Sequence, residues 1–112
     1  MSEAKENQER RVELKRAYGV AYARLSDILF SEDPIGINFE DNTDEYEAEV
    51  RTILPRLRGV HSVEEVRAIV HEEFVKWFEA FIAGPPEKYQ FIAERVWKEV
   101  VPLLRTTAEN GG

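Results

Sequence analysis

The strongest constraint on this chain is the spacing of its apolar residues, which recur every three or four positions from Leu14 to Val100 and are interrupted only by proline and glycine clusters. A period near 3.6 places such residues on one face of a helix, whereas a strand needs alternation. Leu14, Tyr18, Ala21, Leu25 and Ile28 mark the first face, widened by Tyr22 and Leu29, in a segment that has no proline from Glu3 to Phe30 and is expected to be helical from about Arg11. Gly19 falls inside that segment, where a close helix crossing is the expected reason for a glycine. Tyr46, Val50, Ile53, Leu54 and Leu57 mark the second, and Pro55 predicts a kink or a short turn before Gly59. The third runs from Val63 to about Ile82, entered through the capping box Ser62-Val-Glu-Glu65 and carrying the aromatic stripe Phe74, Trp77, Phe78, Phe81, which reads as core. Gly84-Pro85-Pro86 separates it from a fourth, from Pro86 to about Val101, which Pro102 ends or bends. The expected fold is all-α, a small antiparallel bundle of about four helices forming a single domain over residues 1–112, with the polar ends 1–10 and 106–112 frayed or disordered.

Between the first two helices lies the longest break in the pattern, residues 31–43, punctuated by Pro34, Gly36, Asn38 and Asn42. It is also where the charge resides. The net charge of -7 comes almost wholly from residues 31–50, which hold eight acids (Glu32, Asp33, Glu40, Asp41, Asp44, Glu45, Glu47, Glu49) and no Lys or Arg, while the rest of the chain is nearly balanced. Such a segment repels phosphate backbones and anionic lipid surfaces, so nucleic acid and membranes are not expected partners. The expectation is an acidic loop and helix face, with Glu40, Asp41, Asp44, Glu45 and Glu49 as the partner-binding residues, facing either solvent or a basic protein. Asp33-Pro-Ile-Gly36 has the residues of a type I turn, with Asp33 as its acceptor, and Asp44 is placed to cap the second helix.

Motifs for catalysis and cofactors yield no hypothesis. His71-Glu-Glu-Phe74 begins like the zinc-protease helix, but Val75 occupies the place of the second histidine. There are no cysteines, which removes thiolate chemistry and disulfides. The oxygen-rich loop around Asp33, Asn38, Glu40, Asp41, Asn42 and Asp44 leaves a calcium-responsive domain as the alternative reading, although its spacing is not that of an EF-hand. No cofactor, metal ligand set or catalytic group is assigned, and the expectation is a non-enzymatic protein. The charged first sixteen residues contain no apolar run of signal-peptide length, so the expected location is the cytoplasm.

The combination of Asp33, Pro34 and Gly36 near the end of one helix with Asp44, Glu45 and Tyr46 at the start of the next resembles a family of small uncharacterised bacterial helical proteins with D-P-I-G and D-E-Y motifs, over roughly residues 18 to 97. This chain departs from the shorter members in its charged leading segment and fuller last helix. Some members are similar to immunity proteins that neutralise secreted toxins. The resemblance implies a small helical domain; the basic protein partner is the expectation from the acidic segment, a cationic toxin being one instance, and a homodimer is compatible with either.

Overall fold

The computed structural model describes residues 18–36 and 46–105. Four α-helices occur among them: α1 (Val20–Glu32), α2 (Glu47–Ile53), α3 (Val63–Ala83) and α4 (Gln90–Glu99). Short 3₁₀ segments, Leu54–Gly59 and Pro86–Tyr89, lead out of α2 and into α4. Each helix packs against the next, and α4 returns to α1. No strand is present among the described residues, and none of their helices is long and apolar enough to cross a membrane.

All four helices contribute to one cluster of buried side chains, in which Leu25, Ile28, Tyr46, Ile53, Phe74 and Tyr89 are fully enclosed. Burying each such residue stabilises the fold by roughly 1.5–3 kcal/mol. The second apolar face behaves as its spacing predicts, with Tyr46, Val50, Ile53, Leu54 and Leu57 all buried. Pro55 lacks the amide that would continue the α-helix, and the chain tightens there into the 3₁₀ segment. Ser62 caps α3 by accepting from the Glu65 amide at 3.2 Å. Glu65 reaches back one residue further than a standard capping box, to the amide of His61.

Several boundaries differ from the sequence expectation. Gly19 adopts φ 51°, ψ -116° and precedes α1 instead of lying within a helix; no described atom outside its chain neighbours comes within 4 Å of a Cβ built there, so its role is conformational and not a close crossing. The described second helix begins at Glu47 with Tyr46 at the cap position, and the Tyr46 side chain makes no capping hydrogen bond. Asp44, expected as that cap, lies outside the described residues, as do the two chain ends. Pro102 does not end the chain's helical structure: after a turn at Val100, residues 101–105 are helical again. Arg105 closes this end, its guanidinium 5.1 Å from the Trp97 ring centroid and donating to the Val60 carbonyl at 3.1 Å.

The aromatic stripe of α3 divides. Phe74 is fully buried and stacks on Phe78, but Trp77 is 45% exposed and Phe81 is 96% exposed. Glu79 interrupts the helix with φ 70°, ψ 157°, so Phe81 no longer follows Phe74 and Phe78 around the same face.

Candidate interaction surface

The two motifs meet at one hydroxyl. Asp33 ends α1 in the left-handed conformation (φ 48°), its amide donating to the Leu29 carbonyl at 2.8 Å. This sharp exit turns Pro34 inward, where it is buried, and the turn closes when Gly36 (φ 79°) donates to the Asp33 carbonyl at 3.2 Å. Tyr46 then reaches across. Its hydroxyl donates to Asp33 Oδ1 at 2.6 Å and accepts from the Ile35 amide at 3.2 Å, while its ring is fully buried 5.9 Å from that of Phe74. Asp33 is therefore an acceptor, as expected, but for a tyrosine 13 positions away and not only for its own turn. The chain leaving at Ile35 and returning at Tyr46 is pinned at both ends.

The neighbouring acids serve the fold as well. Glu32 accepts from Arg95 at 3.0 Å, which also binds Glu99 (3.2 Å) and the Ser31 hydroxyl (3.1 Å), joining the end of α1 to α4. Hydrogen bonds to these carboxylates hold the Arg95 pKa above its ordinary value. Glu47 accepts from the Tyr22 hydroxyl at 3.1 Å. Glu49, expected on a solvent-facing or partner-facing surface, is only 4% exposed and cannot present its side chain to a partner. The pattern offered a signal: Glu49 lies three residues after Tyr46 and four before Ile53, on the apolar stripe. Glu40, Asp41, Asp44 and Glu45 lie outside the described residues.

A second charged group escaped the sequence reading. Glu73 is buried at 5% exposure between Val70 and Trp77 on the inner stripe of α3, and receives Arg56 Nη1 at 2.8 Å and Lys76 Nζ at 3.4 Å. Arg56 also binds Glu72 at 2.8 Å. Burial pushes the Glu73 carboxyl up, but the Thr52 hydroxyl, Arg56 and Lys76 together outweigh it and leave its pKa below the ordinary glutamate value. Trp77 Nε1 donates to the Thr52 hydroxyl at 3.1 Å beside this group, with part of the indole in solvent. Among the described residues no group of three or more His, Asp or Glu is arranged to hold a metal ion. Of the oxygen-bearing residues considered for calcium, Asp33 engages Tyr46 and the others lie outside the described residues. His71 is an edge residue of α3, its Nε2 2.9 Å from the Gly84 carbonyl, and His61 is exposed.

Comparison with protein-family models, with curated proteins and with solved structures gives no match in any of the three. The resemblance in the D-P-I-G and D-E-Y motifs rests on the motif residues themselves.

Proposed function

We propose that this chain is a non-enzymatic protein-interaction domain, an antiparallel helical bundle whose long acidic connection between α1 and α2 docks a basic protein surface. The observation that carries the reading is the Tyr46 clasp. It ties together Asp33 and Tyr46, the residues that flank a stretch whose sequence holds Glu40, Asp41, Asp44 and Glu45 and no Lys or Arg. A run of like charge raises the local field and speeds encounter with a positive partner. Neutralisation of a cationic toxin by an immunity protein is one form this activity takes, in keeping with the motif resemblance.

The test is affinity capture at low and high salt with the wild type, the Asp41→Lys, Glu45→Lys double variant, and Tyr46→Phe. A basic protein held by the wild type at low salt, released by salt and lost in the double variant, whose thermal midpoint stays within about 2 °C of wild type, supports the reading. Tyr46→Phe keeps every acid but loosens the clasp, and retains part of the capture. Equal capture by wild type and double variant refutes the proposal. A collapse of stability in the double variant assigns those acids to the fold.

A further inference from the structure

Helix α3 contains a break that its own sequence does not demand. Between Val63 and Ala83 there is no glycine or proline, and Glu79 and the Ala80 that follows it are good helix formers. Yet Glu79 occupies φ 70°, ψ 157°, a region that is essentially glycine's alone because a Cβ there crowds the backbone. Beyond the break one turn resumes, with the Gly84 amide donating to the Ala80 carbonyl at 3.0 Å.

Contacts from the following 3₁₀ segment and from an earlier turn of α3 hold this arrangement. Tyr89, fully buried, donates its hydroxyl to the Ala83 carbonyl at 2.5 Å; His71 Nε2 meets the Gly84 carbonyl; and Ala83 itself is fully buried. The opposing cost is visible in Phe81 and Ile82, which are 96% and 51% exposed. In an unbroken helix positions 74, 78 and 81 would share one face, and Phe74 and Phe78 already stack at 5.7 Å. The kinked arrangement buries Ala83 and makes the Tyr89 bond, at the expense of a strained Glu79 and a bare phenylalanine. A straight one relieves Glu79 and returns Phe81 to the face of Phe78, at the expense of the Tyr89 bond. Each satisfies what the other leaves unmet.

We propose that residues 79–84 form a two-state hinge, in which the kinked state displays Phe81 and Ile82 at the surface and the straight state withdraws Phe81 toward Phe78. The hinge is local to α3 and its junction with α4, and it stands or falls independently of the acidic connection.

Amide hydrogen exchange and Cα chemical shifts of the full chain test it, with Glu79→Gly to relieve the strain of the kinked state and Tyr89→Phe to remove its latch. In the wild type the amides of residues 80–84 exchange through a local opening, faster than those of residues 66–74. Glu79→Gly slows the 80–84 amides by about tenfold or more, because the kinked state no longer carries the strain. Tyr89→Phe moves the Glu79 Cα shift toward helical values. The hinge is refuted if residues 80–84 exchange in step with 66–74 in all three proteins, or if Glu79→Gly leaves their exchange unchanged. A uniform acceleration along α3 in Tyr89→Phe, with the Glu79 shift unmoved, also refutes it and makes Tyr89 a simple core residue.

Discussion

Replacing Tyr46 by phenylalanine removes a single oxygen atom and leaves the buried ring and its contact with Phe74 in place. What is lost is the bond to Asp33 at 2.6 Å and the acceptor of the Ile35 amide at 3.2 Å. A hydrogen bond to a charged group contributes about 1.5–3 kcal/mol and a longer neutral one up to about 1 kcal/mol, so the variant should lose about 2–4 kcal/mol. For 112 residues the entropy of unfolding corresponds to about 4 °C per kcal/mol, which gives a fall in thermal midpoint of about 8–16 °C. Urea unfolding followed by far-ultraviolet circular dichroism measures the free energy, and a cycle with Asp33→Asn isolates the pair. Asparagine tolerates the left-handed conformation at position 33 and keeps an acceptor, so that change probes the charge alone. It should cost about 1 kcal/mol in the wild type and much less beside Tyr46→Phe. A loss below about 0.5 kcal/mol for Tyr46→Phe, or strict additivity of the two changes, would show that the clasp does not join the motifs energetically.

Alkaline titration probes the other buried tyrosine. Burial pushes the Tyr89 phenol up to about 12 from an unfolded value of 10.0. Its contribution is complete below pH 10 and is lost as the pH rises toward 12, where the unfolded chain has released the proton and the folded chain has not. The wild type should lose about 2–3 kcal/mol more than Tyr89→Phe over that interval in denaturant titrations, and parallel pH profiles would contradict the assignment. At the surface, Phe81→Ser should change stability by no more than about 0.5 kcal/mol, since the ring is already in water, whereas Phe74→Ala should cost about 3–5 kcal/mol. A large loss from Phe81→Ser in calorimetry would place that ring inside the fold.

The helical class was legible because burial follows the 3.6-residue period wherever the backbone stays helical. Tyr46 through Leu57 shows this, as does the fourth apolar face from Tyr89 to Val100. Phe81 was not legible as an exposed residue, because the break at Glu79 is held by contacts to Ala83 and Gly84 from Tyr89 and His71, which local spacing does not encode. Glu49 is expected on an exposed acidic face, and no role is assigned to Glu73 from the sequence. Their positions on apolar stripes were visible, but the partners that make such burial tolerable for Glu73, Arg56 and Lys76, come from the preceding 3₁₀ segment and from its own helix. The D-P-I-G and D-E-Y motifs could be seen separately in the sequence. That Asp33 and Tyr46 are one structural unit required the fold, since ten residues stand between the turn at Ile35 and the ring of Tyr46.

The clasp also makes the intervening stretch a cassette. A flexible segment tied at both ends pays for added length only logarithmically, and doubling the nine residues 37–45 would cost about 0.6 kcal/mol, less than the hydroxyl bridge contributes. Selection can therefore rewrite the composition and length of that stretch while Asp33, Pro34 and Tyr46 keep the helices in register. One scaffold of this kind can acquire new specificities by exchange of a peptide of nine residues or more, and an engineer can graft a foreign sequence between the same two posts.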